Sequence, residues 1–254
     1  MLLHNNIIYR MRFAINNHLN IINKGDSMEN IEFIYEDNDI IVCRKPAGIA
    51  TQTRRLGQPD MESLLNYHLA SNGQPARIGI VHRLDQPVEG VMVYAKNTTA
   101  AARLSQQVAQ RQIGKYYYAL VSPLHDLPTD WVTLTDYMTW NTKTNYASIV
   151  RKETPGAKKA VLEYRLVHQN EDAALLDVHL HTGRHHQIRL QMAHAGMPLV
   201  GDRKYGGSAA VPREALGLCA YRLDFLHPTT GKHMSFSITP SHTGMRSFLE
   251  PPTD

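Results

Sequence analysis

The amino-acid sequence predicts an α+β fold: a mixed, largely antiparallel β-sheet with flanking helices. Segments rich in β-branched and aromatic residues occur mostly in pairs separated by short polar turns, which is the pattern of β-hairpins. A few segments with helical spacing of apolar residues lie between these pairs. The apolar run 91–95 is typical of a strand that is buried on both faces, so we expect it to be a core strand.

Turn residues and strand-forming residues alternate along most of the chain. Polar residues at 36–39, 169–172 and 227–231 form the turns of three predicted hairpins. The strands are expected at 31–35, 40–45, 91–95, 115–121, 131–135, 146–150, 160–167, 173–181, 218–226 and 232–238.

Capping residues indicate where the helices begin. Asp60 is a good N-cap for the first helix, and Asn97 or Thr98 serves the second. Gly196 is placed to end the third. The helices are expected at 61–71, about 98–112 and 184–195.

Length and composition fit one large globular domain or two small ones, since the chain has 254 residues, 43% hydrophobic and 20% charged. No segment approaches about 18 uninterrupted apolar residues, so no membrane-spanning helix is expected. A net charge of +4 and a pI near 9.0 allow an acidic partner such as nucleic acid. The two cysteines, both flanked by apolar residues, argue against a disulfide framework and for a cytoplasmic protein.

The chain is expected to hold one folded domain between two less ordered ends. Residues 1–27 are rich in asparagine and lack the apolar core of a secretory signal. They are interpreted as a leader, a disordered segment or sequence upstream of a true start at Met28. Residues 28–242 form the predicted domain, and 243–254 are expected to be a loose C-terminal tail.

A candidate reactive carboxylate lies at the mouth of the predicted core strand. In the sequence His82-Arg83-Leu84-Asp85, the aspartate is followed by a Gln-Pro pair, which predicts a turn directly before the buried strand. Loops held by rigid strands often carry reactive side chains. Taken alone, however, an Arg-x-Asp is explained more simply by a turn aspartate paired with Arg83 at the surface. The interpretation therefore depends on a second group of residues.

A later segment, dense in histidine and arginine, suggests either a metal site or an anion site. His179 and His181 would share one face of a strand and could form a zinc pair; with His185 they could serve a metal-dependent hydrolase. Against this, residues 178–201 contain no carboxylate, and two arginines in that range place positive charge where a dication would bind. We therefore expect no metal.

The alternative is that this segment holds an anion or a carboxylate. Arg184 and Gln187 lie one helical turn apart at the predicted helix start, where backbone N–H groups favour anions. Arg189 should face the sheet, and a buried arginine needs a carboxylate partner. Asp85 is the natural candidate, and the arginine would keep it ionised.

Several short motifs occur in a fixed order along residues 31–238. They are Lys45-Pro46-Ala47-Gly48, His82-Arg83-Leu84-Asp85 with Gly90 and Ala95-Lys96, Lys115-x-Tyr117-x-Ala119, Thr182-Gly183-Arg184-x-His186-Gln187-Ile188-Arg189, Gly196-x-Pro198, Gly201-Asp202-x-x-Tyr205-Gly206, and Leu223-x-Phe225-x-His227-Pro228. Each motif is weak alone, but in this order they resemble the RluA-type RNA pseudouridine synthases.

The resemblance implies the pseudouridine synthase catalytic fold, with a catalytic cleft across the sheet. It also implies that a specific uridine in ribosomal or transfer RNA flips out of its stack and is isomerised to pseudouridine, without a cofactor or a metal. By match to the family, the catalytic residues are Asp85, Tyr117 and Arg189. The residues expected to bind substrate are His82, Arg83, Leu84, Lys96, Lys115, Arg184, His186, Gln187 and Ile188. A monomer is expected.

RNA phosphates should be contacted by basic side chains, so binding should weaken steeply with salt. Arg83 is the candidate to fill the gap that the flipped base leaves. The expected phosphate contacts are Arg54, Arg55, Lys96, Arg103, Arg111, Arg184, Arg203 and Lys204.

Two features of the sequence depart from the family pattern. Val88-Glu89 replaces the usual Thr-Ser, and His185 replaces a small hydroxyl residue. Glu89 would add negative charge near Asp85. This keeps open a second interpretation, an RNA-binding protein on the same fold that has lost catalysis.

Overall fold

The computed structural model describes residues 31–53, 58–122, 127–206 and 215–250. The predicted class is confirmed, because these residues form a mixed, largely antiparallel sheet with four helices. The leader at 1–27 and the phosphate contacts expected from Arg54 and Arg55 lie outside the described residues. None of the helices in the described part of the chain combines the length and apolar character that a membrane crossing requires.

The strands and helices follow one another in a mixed order. The strands are β1 Glu32–Glu36, β2 Ile40–Lys45, β3 Gly79–Ile80, β4 Glu89–Ala95, β5 Gly114–Val121, β6 Val132–Asn141, β7 Tyr146–Val150, β8 Lys158–Gln169, β9 Ala174–Leu180, β10 Leu218–Leu226 and β11 His233–Ser237. The helices are α1 Met61–Ser71, α2 Thr98–Ala109, α3 Gln187–His194 and α4 Thr243–Leu249.

The sheet has the strand order β1-β2-β4-β10-β5-β9-β8-β6-β7, with β11 paired to β10 and β3 paired to β4. The contact between β4 and β10 is parallel, and the other described pairings are antiparallel. The chain reaches β10 from β4 only after more than a hundred residues. Segments that are distant in sequence therefore meet at the centre of the sheet.

Strand β4 is buried along its whole length, as its apolar run predicts. On one face, Met92 and Tyr94 belong to the same apolar cluster as Leu65 of α1. On the other face, Val93 packs in a second cluster with Leu104 of α2. A helix thus covers each side of the strand, which explains why its side chains do not alternate between apolar and polar.

Both predicted N-caps are found. Asp60 accepts a hydrogen bond from the backbone N–H of Ser63, whose hydroxyl in turn accepts from the backbone N–H of Asp60. Asn97 accepts from the backbone N–H of Ala100 at the start of α2. These bonds satisfy donors that a helix start would otherwise leave unpaired.

Three predicted boundaries differ from the structure. Strand β6 continues beyond the expected 131–135 to Asn141, because it pairs with both β7 and β8. Helix α3 begins at Gln187, three residues later than expected, since His186 has a left-handed backbone conformation with φ of 53°. The tail expected to be loose is a helix over Thr243–Leu249, and Met245 is fully buried; residues 251–254 are outside the described residues.

Gly90 allows β4 and β10 to approach closely. A Cβ at this position would lie 2.3 Å from the Cβ and 2.7 Å from the carbonyl oxygen of Ala220. Real side chains do not tolerate such contacts, and the neighbour is backbone that cannot move freely. Gly90 is therefore required by the parallel pairing that holds the turn of Asp85 at the sheet.

We predict that Gly90→Ala lowers the free energy of unfolding by about 3 kcal/mol, because the added methyl group forces β4 and β10 apart. Equilibrium unfolding in urea measures this loss. Gly183→Ala is the control: a Cβ there meets nothing within 4 Å, so its effect should stay within about 0.5 kcal/mol. Equal losses in the two variants would contradict the steric explanation.

Candidate active site

A cleft of about 970 Å³ crosses the sheet. It is lined by the turn that precedes β4, by the first half of β5 and by the loop between β9 and α3. The volume lies at the upper end of what small-molecule sites occupy, so the cleft can hold a nucleotide with part of its neighbours.

All of the predicted site residues except Lys96 line this cleft. They are Asp85, Tyr117, Arg189, His82, Arg83, Leu84, Lys115, Arg184, His186, Gln187 and Ile188. Lys96 instead donates hydrogen bonds to the carboxylate of Glu36 and the carbonyl of Asp37, at the turn between β1 and β2. Arg103 is also engaged elsewhere, with its guanidinium 2.7 Å from the carbonyl oxygen of Pro228.

The backbone around Asp85 is fixed from both sides. On one side, the Thr51 hydroxyl donates to the carbonyl of Leu84 and accepts from its N–H, at 3.0 and 3.2 Å. On the other, the Lys45 ammonium donates to the carbonyls of Pro46, Ile49 and Gln86. The carboxylate of Asp85 is 29% exposed, so it is held rigidly yet remains accessible from the cleft.

Lys45 is fully buried and received no role in the sequence analysis beyond its motif. Burial, partly opposed by Asp85 and Glu89, lowers its pKa to about 7. Through its three carbonyl acceptors, Lys45 joins the Lys45-Pro46-Ala47-Gly48 motif to the turn that carries Asp85. The Lys-Pro-x-Gly sequence was the signal that could have identified it.

Arg189 has two carboxylate partners rather than one. Its Nη1 lies 3.8 Å from Oδ2 of Asp85, which brings the two predicted catalytic groups together. Its closer partner is Asp202, which accepts hydrogen bonds from Nε and Nη2 at 2.8 and 2.7 Å. The expectation that Asp85 is the main partner of Arg189 is therefore wrong. Asp202 fixes the guanidinium, and Asp85 faces its remaining side.

The ion pair between Arg189 and Asp202 is charged on both sides. Burial acts to lower the pKa of Arg189, but Asp202 and then Asp85 outweigh it and raise the pKa. Burial acts to raise the pKa of Asp202, yet Arg189 and the backbone N–H groups of Lys204 and Tyr205 lower it. The motif Gly201-Asp202-x-x-Tyr205-Gly206 was noted in the sequence, but its aspartate was not assigned to the site.

His186 connects Asp85 to Tyr205. Its Nε2 lies 3.8 Å from Oδ2 of Asp85, and its Nδ1 lies 2.8 Å from the Tyr205 hydroxyl. The Tyr205 hydroxyl accepts a hydrogen bond from the N–H of Ala147. It can therefore donate its own proton to Nδ1 of His186, which places the proton of the neutral imidazole on Nε2. Burial, partly opposed by Asp85, lowers the pKa of His186 to about 4, so the ring is uncharged at neutral pH.

Tyr117 lies on β5 with its ring buried at the cleft. Burial, and then the charge of Asp85, raise the pKa of its hydroxyl, which therefore keeps its proton. Tyr116 and Tyr118 are on the opposite face, where they stack on His179 and Tyr221. The predicted alternation along this strand is confirmed.

His82 and Gln187 line the cleft with their polar atoms committed to the protein. His82 accepts a hydrogen bond from the N–H of Val93, and burial together with Lys115 lowers its pKa to about 3. The amide oxygen of Gln187 accepts a hydrogen bond from the hydroxyl of Thr182, and its amide nitrogen donates one to the side-chain oxygen of Gln191. Both residues therefore shape the walls of the cleft.

The anion grip expected at the start of α3 is not formed. Arg184 precedes the helix, and its Nε donates to the carbonyl of Lys159 at 2.9 Å. The oxygen of the Gln187 amide accepts from the backbone N–H of Arg184. The positions of Arg184 and Gln187 are therefore set by the loop before α3, and the two side chains do not lie one helical turn apart.

Both departures from the family pattern are compensated. Glu89 is buried and accepts hydrogen bonds from Arg44 at 2.7 Å and from the hydroxyl and N–H of Ser241. Its charge is therefore paired away from Asp85. His185 stacks on Trp140, with ring centroids 4.3 Å apart and planes 12° apart. It presents an aromatic ring at the rim of the cleft.

Comparison with known proteins agrees with the geometry of this site. A family model described as RNA pseudouridylate synthase matches residues 39–194. The chain is 39% identical over 236 residues to an uncharacterized RNA pseudouridine synthase of Aquifex aeolicus, covering 87% of this chain and 73% of the relative. It is 34% identical over 221 residues to the ribosomal large subunit pseudouridine synthase D of Vibrio cholerae, covering 81% of this chain and 66% of that one.

Structural comparison supports the same fold. Human RNA Pseudouridylate Synthase Domain Containing 4 superposes with a TM-score of 0.69 at 19% identity, covering 87% of this chain and 95% of that chain. The chain spans just under two thirds of the length of some of its curated relatives, 66% for the Vibrio cholerae protein. The family model matches more than half of the chain, so the protein belongs to the RNA pseudouridylate synthase family, whose members are isomerases.

Proposed function

We propose that this protein converts a specific uridine of ribosomal or transfer RNA into pseudouridine. The observation that carries the proposal is the position of Asp85. Its carboxylate opens into the cleft from a turn that is held on both sides, and Arg189 and His186 each lie 3.8 Å from it. A rigid and accessible carboxylate is what chemistry at a ribose carbon needs.

The proposed reaction is balanced without any further reactant. The N1–C1′ bond of the uridine breaks, the base rotates, and a bond forms between C5 and C1′. The proton on C5 is lost and N1 gains one, so no electrons are exchanged. Asp85 acts at the ribose as nucleophile or as base, which divides one difficult step into easier ones. No cofactor or metal is required for these steps.

The neighbours of Asp85 have separate roles in this proposal. Arg189 faces and orients the carboxylate of Asp85, and Asp202 holds Arg189 in place. The uncharged His186 presents its Nε2 to the same pocket. Tyr117 stacks on the uracil. Because burial and Asp85 raise the pKa of its hydroxyl, that group keeps its proton and does not act as the base.

The uridine must leave its stack to reach Asp85. Flipping a base costs a few kcal/mol, which contacts inside the pocket can offset. Arg83 is exposed at the cleft and two residues from Asp85, so it can fill the vacated space. The net charge of +4 favours binding of the RNA backbone. Two buried, unpaired cysteines fit a cytoplasmic enzyme.

We predict that Asp85→Asn lowers pseudouridine formation by about 10³-fold or more while RNA binding is retained, because the neutral amide cannot act at the ribose. The measurement is incubation with transcribed ribosomal and transfer RNAs followed by chemical mapping of pseudouridine. If the unmodified protein forms no pseudouridine in any cellular RNA but still binds RNA, the binding protein without catalysis replaces this proposal.

We predict that Asp202→Asn lowers kcat by about 10- to 100-fold, because Arg189 loses the partner that positions it beside Asp85. The acid limb of the pH profile of kcat/KM should also move, because the carboxyl of Asp202, whose pKa is lowered by Arg189, no longer titrates in the variant. Because the buried Arg189 then lacks a charged partner at this position, the free energy of unfolding should fall by about 3 kcal/mol.

The matched control is Asp224→Asn. Asp224 is also a buried carboxylate bound through two hydrogen bonds by an arginine, Arg222, but it does not line the cleft. It should lose stability with little change in kcat. If Asp202→Asn behaves in the same way, with an unchanged acid limb, the positioning role is refuted.

We predict that Arg83→Gln weakens RNA binding and reduces the slope of log K against log salt by about one, because the side chain that fills the vacated space also carries one positive charge into the RNA. Fluorescence anisotropy with labelled RNA at several salt concentrations measures both quantities. Lys232→Gln, at an exposed turn distant from the cleft residues, is the control. Identical behaviour of the two variants would rule out a specific contact by Arg83.

A further inference from the structure

Glu163, His179 and His181 meet on one face of the sheet. Strand β8 pairs with β9 so that Glu163 lies directly opposite His179. His181 is two residues further along and therefore points to the same side as His179. The nearest carboxylate in the sequence, Asp177, forms an ion pair with Arg165, and the pairing of the strands supplies Glu163 instead.

The three side chains are spaced as ligands of one metal ion would be. Oε2 of Glu163 lies 3.0 Å from Nε2 of His181 and 3.9 Å from Nδ1 of His179. The two imidazole rings are 4.2 Å apart. Zinc binds nitrogen and carboxylate oxygen at about 2.0–2.2 Å, which places neighbouring ligand atoms roughly 3.3–3.5 Å apart in a tetrahedral site. Small rotations of these side chains produce that geometry.

One ligand atom lacks any other partner. Nε2 of His181 is shielded from solvent and makes no hydrogen bond within the described residues, although the carboxylate oxygen is 3.0 Å away. The geometry of that approach does not suit an N–H donor. A buried polar nitrogen without a hydrogen bond is costly, and coordination of a metal would satisfy it.

The charge that argued against a metal is directed elsewhere. Arg189 is bound to Asp202, and Arg184 donates to the carbonyl of Lys159. The charged groups that act on His179 are three carboxylates and the imidazole of His181. Two of those carboxylates, those of Asp177 and Asp224, have arginine partners. In the described part of the chain, Glu163 forms no ion pair with Lys or Arg.

A second group of similar composition shows what a closed arrangement looks like. His227 donates from Nε2 to Asp37 at 2.8 Å, and its Nδ1 accepts from the N–H groups of Thr229 and Thr230. Asp37 accepts further bonds from the backbone and from a tyrosine. The third acid of that group, Asp39, also accepts a hydrogen bond, from Asn97. Because its ligand atoms are committed to partners within the protein, we place no metal there.

We propose that Glu163, His179 and His181 bind a divalent transition metal ion of the zinc type. Two imidazoles and one carboxylate leave an open coordination position for water. Of the three ligands, His181 lines the cleft, whereas Glu163 and His179 lie beside it on the Tyr116 face of the sheet. The proposed steps at Asp85 need no metal, so the role of the metal is structural. It links β8 to β9 directly before Thr182, whose hydroxyl holds Gln187, and so stabilises this wall of the cleft.

The test is a calorimetric titration of the full chain, stripped with a chelator, with Zn²⁺. We expect one Zn²⁺ per chain. Glu163→Gln and His181→Asn should each weaken binding by at least about tenfold, the lower end of what the loss of even an outer-shell partner costs. His233→Asn, an exposed histidine on β11, is the matched control and should bind zinc like the unmodified protein.

Two further measurements keep the result interpretable. Zinc at about 100 times its Kd should raise the unfolding temperature of the unmodified protein by roughly 5–10 °C. After the chelator has removed all metal, the ligand variants should unfold at the same temperature as the unmodified protein. Co²⁺ should give visible absorption that both ligand variants lose. Zinc binding that both ligand variants retain, that His233→Asn abolishes or that is absent from the unmodified protein would overturn the proposal, whatever the outcome for RNA modification.

Discussion

The arrangement of the cleft depends on one buried guanidinium, that of Arg189. It is 8% exposed, and such a charge is tolerated only where carboxylates surround it. Asp202 satisfies it with two short hydrogen bonds, and Asp85 lies on its remaining side. Helix α3, the loop after it and the turn before β4 are thereby tied to a single charged group. Because Asp202 binds Nε and Nη2, Asp85 faces only Nη1 and is oriented without being closed off from a substrate.

The turn that carries Asp85 is held by polar side chains bound to main-chain atoms. Thr51 binds both polar groups of the Leu84 backbone, and Lys45 binds three carbonyls across two loops. Loops have no ladder of their own hydrogen bonds, so such contacts replace what a sheet would provide. The rigid part of the site therefore comes from buried side chains that never need to touch the RNA.

The departures from the family pattern illustrate how a changed residue acquires new partners. Glu89 would be costly if buried alone, but Arg44 and Ser241 pair with it, and Ser241 lies directly before α4. The replacement thus connects β4 to the C-terminal segment instead of disturbing Asp85. His185 gains the ring of Trp140 in a similar way.

The sequence by itself determined the local elements, because caps, turns and apolar periodicity act over only a few residues. Asp60, Asn97 and the run in β4 are where their neighbours predict, and the motifs identify the residues that line the cleft. Tertiary structure decided the partners. Asp202 holds Arg189 more closely than Asp85 does, α3 starts only after the left-handed His186, and Glu163 of a neighbouring strand joins His179 and His181. Such pairings depend on which distant strands and loops approach each other, and no local pattern encodes that distance.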